Sequence, residues 1–439
     1  MSVRDRNRAG GRSDHPRRRP LNALLAALAG GPMRSLRHRS FLLYWWGLAM
    51  MQVGFWTTGV ALQWLTARLS DNSSAELGLL YFFNFVPLLF LTPWAGVIAD
   101  RYHRVAIVVL CQCGIGVAAA ALAAYLALSG ERAHLILIYS FAFGIGTLMA
   151  VNAPASQAIV AATVPAKDLS SAVGLQSVTL NIARIAGPVV AVPLLVAWGA
   201  APVFIAYAAT SALTALLVGR LRLAAPPPRG HHERTWQRLR EGLHHVRTRP
   251  TALRALLMAA ATSVFGGSYV SQLPVVAYTV ADAADGDTAL ALLIATTGLG
   301  AVVGALATSW RTSIPNVRWI AALMILLALV TSLLAGVGSL LPALLFAVVA
   351  AALNFTIMTG LNVVLQALST DHVRGRVMSL FIIAWGGLVP VGALLLGALA
   401  DRIGVFGAVT ALATLQAIIG LVFLTHRQED DPLGRRREH

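Results

Sequence analysis

The sequence predicts an all-α membrane protein, with twelve transmembrane helices arranged as two pseudo-symmetric six-helix bundles. Three observations predict it. Only 12% of the 439 residues are charged while 57% are hydrophobic, whereas an average soluble protein carries roughly 25% charged residues. The chain therefore lacks the polar surface of a soluble globule of its size. Charge-free runs long enough to cross hydrocarbon recur along it. Finally, the 34 Lys and Arg, set against 18 acids for a net charge of +16, gather in alternate gaps between those runs, which is the positive-inside pattern.

The spans follow in order. Residues 40–67, 77–99, 105–130 and 135–166 carry no Asp, Glu, Lys or Arg and each exceeds the ~20 residues of one crossing. Residues 169–219 are interrupted only by Arg184, and the turn-prone Trp198-Gly199-Ala200-Ala201-Pro202 divides them into two helices. Residues 255–281 and 288–310 supply one helix each. The uncharged run 319–370 is too long for one span and breaks at Gly336, Gly338 and Pro342, and 377–400 and 403–425 complete the set. The domain reading is a basic cytoplasmic arm (1–39), a first bundle (40–220), a cytoplasmic linker (221–250), a second bundle (251–425) and a cytoplasmic tail (426–439).

With both termini cytoplasmic, 30 of the 34 bases lie on the inner side; Arg68, Arg132 and Arg402 lie outside and Arg184 within a helix. This scatter over seven segments argues against nucleic acid, which would need bases interleaved with aromatics on one face. Arg17, Arg18 and Arg19 followed by the apolar stretch 21–29 imitate a signal peptide. Cleavage there would leave the new N-terminus outside, so the preferred reading is a basic arm with a short interfacial helix against anionic inner-leaflet lipid. The helical pattern begins just after Met33, an alternative start. In the linker, Ala224-Ala225-Pro226-Pro227-Pro228 precedes an amphipathic helix over 233–246, with Trp236, Leu239, Leu243 and Val246 on one face and Arg234, Arg238, Arg240 and Arg247 on the other. It is expected in the inner headgroup layer, with a partner-docking helix as the rival.

Cys111 and Cys113 face different sides of one helix and have no His nearby, so neither a metal site nor a disulfide is expected. No nucleotide-binding Gly-Lys motif occurs, and the spans hold no acidic residue or His to act as a base, so neither a cofactor nor an enzyme is expected. The two halves echo each other at offsets near 205. Gly96 to Asp100 (G-x-x-x-D) matches Gly304 to Thr308; Asp168 and Gly187 match Asp371 and Gly392. Such duplication places a polar pathway between halves at mid-membrane.

Gly96-Val97-Ile98-Ala99-Asp100-Arg101-Tyr102-His103-Arg104 resembles the loop motif between helices two and three of the major facilitator superfamily, with His103 in place of a glycine. Gly174, Ala183, Gly187-Pro188 and Ala191 resemble the helix-five motif of that superfamily's exporters, with alanine for two glycines. Gln366 and Arg374-Gly375-Arg376-Val377-Met378-Ser379 resemble the branch holding enterobactin exporters and macrolide efflux proteins. The resemblance covers about residues 33–425. It implies a secondary transporter working by alternating access, with spans one, four, seven and ten lining its cavity.

Asp100 is expected near the N-terminus of helix eleven, whose free N–H groups attract a carboxylate. Arg101 and Arg104 are expected to pair with Asp168 or Asp371. With Gly96, Arg374 and Arg376 they form a candidate cytoplasmic gate that closes when the inner ends meet; plain loop anchoring is the alternative. Gly174, Ala183, Gly187 and Ala191 admit a close neighbour, and Pro188 frees a carbonyl. Asn181 and Arg184 share a stripe on that helix. A guanidinium at that depth needs water, an acid or carbonyls, and no span offers an acid. The expected substrate is therefore small, amphipathic, and neutral or anionic, resembling a siderophore, a macrolide or a metabolite; carbonyls near Pro188 are the rival partner.

Further cavity candidates come from helix phase: Gln52, Trp56 and Gln63 on span one, Asn152 and Gln157 on span four, Gln272 on span seven, and Asn354, Asn362 and Gln366 on span ten. Interhelical bonding explains isolated Asn and Gln equally well. The resemblance implies proton antiport; Glu76, near the outer surface, and the gate Asp100 are the candidate carriers, and a monomer is expected. Export is the first reading. Import through the same fold, or a non-transporting sensor or assembly partner, are the alternatives.

Overall fold

A computed structural model describes residues 33–130, 133–223, 235–281, 286–309 and 314–425. Residues 1–32 of the basic arm with its expected interfacial helix, residues 224–234 of the linker, Arg132, Arg311 and the tail lie outside these residues, as do the side chains of Asp100, Asp371, Trp236 and Leu239. Among the described residues every regular element is helical.

A 3-10 turn, Arg34–Arg37, leads into α1 (Arg39–Leu69). Asp71 and Asn72 adopt left-handed backbone (φ 50 and 62) to reverse the chain, a conformation their short polar side chains tolerate. Ser73 then caps α2 (Ser74–Arg101): its hydroxyl accepts from the Glu76 N–H at 3.4 Å, with Glu76 itself in the first turn. Then come α3 (Arg104–Ser129), α4 (Leu135–Thr163), α5 (Leu169–Trp198) and α6 (Ala201–Gly219). Gly199, at φ 78, divides α5 from α6 within the long apolar run.

The short α7 (Thr235–Arg247) precedes α8 (Pro250–Ala261), which passes through a π turn (Thr262–Gly266) and a 3-10 turn (Ser268–Gln272) into α9 (Leu273–Val280). Next are α10 (Gly286–Ser309), α11 (Val317–Gly336) and α12 (Leu340–Leu368). Finally α13 (Asp371–Ile382) runs through a second π turn (Ile383–Gly387) into α14 (Val389–Thr425). Within α14 Gly404 is non-helical (φ 77, ψ 159). Beyond it the chain returns along α11: Phe406 packs on Gly336, and the Leu424 carbonyl accepts from Arg318 Nε at 3.1 Å.

Ten described segments are long and apolar enough to cross a membrane. The last, Val373–Thr425, has 53 residues, more than twice the ~20 of one crossing. α1 is not among the ten, because Gln52, Thr57, Thr58, Gln63 and Thr66 lower its hydropathy; four of these five are buried in the protein. Large aliphatic side chains such as Leu110, Val117, Leu128, Leu216 and Leu341 instead stand exposed, as lipid-facing surfaces require.

Within the first half of the chain α2 packs on α4, α3 on α6, and α1 on α5 and α6; within the second, α10 packs on α12 and α11 on α14. The halves meet where α2 lies along α14 and α5 along α10. Glycines set these approaches. A Cβ on Gly397 would fall 2.5 Å from the Ser74 carbonyl oxygen, and one on Gly298 would fall 2.9 Å from that of Arg184. Small residues let membrane helices reach backbone contact.

Candidate functional site

Between the halves lies a cavity of about 490 Å³, bordered by α1, α2, α5, the turns after α8, α10, α12 and the second π turn. That volume falls in the range that holds drug-sized ligands. Its walls are aromatic and aliphatic, including Phe55, Trp56, Tyr81, Phe85, Tyr207, Tyr269, Phe355 and Trp385. Arg184 is the one charged residue of the lining.

Arg184 is held on π faces drawn from both halves. Its guanidinium carbon lies 5.2 Å from the Trp56 ring centroid and 4.3 Å from that of Phe355, a cation–π arrangement that favours the charge where water is scarce. Its Nε has no hydrogen-bond partner, and it takes part in none of the ion pairs found among the described residues. The Arg184 carbonyl, which Pro188 leaves without its helical donor, is covered by Gly298. Three residues on, Gly187 meets α1: a Cβ there would lie 2.4 Å from that of Trp56, and Thr57 Oγ1 donates to the Gly187 carbonyl at 3.2 Å. Ala183, Pro188 and Ala191 are also buried. Gly174 has nothing within 4 Å, so in this structure it admits no close neighbour.

Of the polar residues singled out by helix phase, Trp56, Gln63, Arg184 and Asn354 share the cavity wall. Gln63 Nε2 donates to the Gly59 carbonyl at 3.3 Å, which leaves its Oε1 without a partner; Asn354 Oδ1 also has none. The others lie elsewhere. Asn152 is buried against the Met51 sulfur, Asn181 donates to the Ser177 carbonyl of its own helix turn, and Gln366 bonds Asn362. Gln157 is exposed and Gln52 half-buried, neither of them on the cavity wall.

Gln272 is a correction to the cavity reading. It is fully buried, and Nε2 donates to the Ser74 carbonyl at 3.2 Å. A π turn and a 3-10 turn separate it from α8, so a constant 3.6-residue phase misplaces it. Gly267, Tyr269 and Val270 line the cavity there instead. Tyr81, Asn84, Phe355 and Trp385 were also missed. Aromatic residues in a span read as core or lipid-facing, and a second π turn shifts the phase near Trp385; the Ser263 hydroxyl donates to the Trp385 carbonyl at 2.7 Å.

The pairing expected for Asp168 is corrected. Among the described residues Asp168 pairs with Arg34 (3.1 Å) and His38 (2.8 Å), which close on it from the start of α1, rather than with Arg101 or Arg104. Arg34 also donates to the Lys167 carbonyl at 2.6 Å. Arg376 pairs with Glu241 of α7, and Gly242 lies against its backbone. Arg101 and Arg374 are exposed, Arg104 half-buried, and Gly96 has open space around it. Thus α7 docks on α13 with Val246 fully buried, where the sequence suggested the headgroup layer. Cys111 is buried and Cys113 exposed.

At the opposite end of the helices a different carboxylate joins the halves. Asp401 of α14 accepts from the N–H groups of Ser74 (3.0 Å) and Ala75 (3.3 Å) and from the Ser73 hydroxyl (3.3 Å), at the N-terminus of α2. The sequence carried a signal for this. Gly397-Ala398-Leu399-Ala400-Asp401-Arg402 repeats the G-x-x-A-D-R of Gly96 to Arg101. Close by, Glu76 accepts from the Tyr139 hydroxyl.

Comparison with known proteins agrees with this architecture. The transmembrane secretion effector family matches residues 30–431. The Staphyloferrin A transporter of Staphylococcus aureus (strain NCTC 8325 / PS 47) is 25% identical over 398 residues, spanning 88% of this chain and 93% of that protein. Among solved structures, a variant of the nucleoside transporter NupG superposes with a TM-score of 0.72 at 11% identity, covering 88% of this chain and 99% of that one. A POT family transporter in complex with 5-aminolevulinic acid gives 0.70 at 13% identity, with 88% and 95% covered. A bacterial homologue of the human lysosomal transporter Spinster, inward-facing and unoccupied, gives 0.63 at 18%, also with 88% and 95% covered. At such identities these structures speak to the fold alone.

Proposed function

The chain belongs to the transmembrane secretion effector family, and from that premise we propose that this multi-pass membrane transporter exports a small amphipathic molecule, neutral or anionic, by alternating access. The reading takes α1 and the two arms of α14 around Gly404 as crossings, which brings the spans to twelve. Two bundles, within residues 40–220 and 251–425, are supported by the repeated pairings α2–α4 with α10–α12 and α3–α6 with α11–α14. Both termini are assigned to the cytoplasm on the distribution of bases.

One observation carries the substrate reading: Arg184 faces an apolar cavity with no carboxylate beside it. A cationic cargo would be repelled there, while an anion regains in the site the pairing it loses in water. The cavity borders both halves, so a bound molecule senses their relative position. It shifts the equilibrium only through different affinity for the two states.

Proton antiport is proposed for coupling, with Glu76 as a candidate carrier. Transport into inverted membrane vesicles under imposed pH or sodium gradients tests this, and indifference to both removes it. For direction, untargeted comparison of secreted and retained metabolites with and without the gene is decisive. Export requires the substrate to accumulate inside when the gene is absent; depletion inside would identify an importer.

A further inference from the structure

Resting on the transport reading of the cavity, we infer a narrower ligand class: molecules with a single anionic group and an aromatic or acyl body. The charge of the lining defines the complement. Arg184 is its one charged residue, with its guanidinium carbon over the Trp56 and Phe355 rings. One anion answers it. A second anionic group would meet no cation, since no other charged residue lines the cavity. A neutral molecule would leave the guanidinium unpaired. The ring-rich remainder of the lining calls for an apolar body.

Fluorescence titration of the purified full-length protein with dansylglycine, dansylamide and dansylglutamate tests this. Dansylglycine is expected to bind at least tenfold more tightly than either of the others. Arg184→Gln should bring it down to the level of dansylamide, whose own binding stays unchanged and so reports an intact cavity; Arg184→Lys should retain part of the preference. Equal or tighter binding of dansylglutamate, no effect of Arg184→Gln, or no binding of all three overturns the inference. Because binding is read without transport, a protein that binds dansylglycine but moves no substrate in vesicles would sink the transport reading instead.

A separate observation at the far end of the helices carries a second inference: we propose that Asp401 is the latch that holds that side of the cavity shut. Its carboxylate on the N-terminus of α2 bridges the halves. The buried Gln272 ties the same residue, Ser74, to the second half through its carbonyl. Gly78 and Gly397 bring the two backbones together around it. In a variant with Cys111 and Cys113 replaced by serine, Thr297→Cys of the cavity lining provides a reporter for a membrane-impermeant maleimide added from the far side. Asp401→Asn should raise its labelling rate at least fivefold, and Asp401→Glu much less. Unchanged labelling in Asp401→Asn overturns the latch. Should that variant not assemble, Asp401→Ser should give the same rise, and no rise overturns it equally.

Discussion

The two ends of the helix assembly are held by different kinds of contact. At the end bearing most of the arginines, the described ion pairs are local to a half and its neighbouring segment: Arg34 and His38 bond Asp168 within the first half, and Arg376 of the second half bonds Glu241 of the linker helix. At the other end Asp401 and Gln272 reach across to α2. Contacts inside a half stabilise it without favouring either side of the membrane. Contacts between halves disappear when those halves part, so they alone bias the access equilibrium. A carboxylate at an exposed helix N-terminus contributes about 0.3–1 kcal/mol, up to ~2 when partly shielded, which is a bias small enough for a ligand or a proton to reverse.

That contrast breaks most directly at the glycine contact. Gly397→Val puts methyl groups into the Ser74 carbonyl, and transport should fall by about tenfold or more, because backbone-level packing has no room to relax. Measured in vesicles, activity near the unmodified level would show that the far-end approach is dispensable. Next, Gln272→Leu removes one interhelical bond; at the net value of a hydrogen bond it should shift far-side labelling of the cavity by about two- to tenfold, and no shift would mean that the bond is incidental. Asp168→Asn tests the other end. It is expected to lower the thermal midpoint by roughly a few degrees while far-side labelling stays constant, and altered labelling would show that this ion pair does sense the access state. Smallest of all, Glu241→Ala removes a pair whose acid is 51% exposed, and because such pairs contribute about 0.2–1 kcal/mol the midpoint should move by at most about 2 °C. A larger drop would make the docking of α7 on α13 a major support of the fold.

Much of the helix layout was legible because the membrane imposes a simple rule: charge-free stretches of a set length, with turns where Gly and Pro collect. The division after Trp198 and the break near Gly336 lie where the structure ends helices. Arg184 was legible for the same reason, since a lone guanidinium in such a stretch needs an explanation. Charge pairing was not. Asp168 precedes α5, and its partners come from the start of α1, 130 or more residues away. Nothing local distinguishes Arg34 from Arg101 as a partner. Asn354 and Gln272 are similar in type and both sit in second-half spans, yet one lines the cavity and the other ties the far end. π and 3-10 turns between α8 and α9 altered the rotation that a constant helical phase assumes.

By itself, then, the sequence determined the solvent, the helical class, the positions of most turns and the one charge within the apolar runs, because each follows from composition over about twenty residues. Only the tertiary structure decided which charges meet, which face of each interrupted helix turns to the cavity, and that the second G-x-x-A-D-R, at Asp401, touches α2. Those outcomes depend on the distance and rotation between helices far apart in the chain, and small side chains such as Gly298 and Gly397 set them by permitting backbone contact.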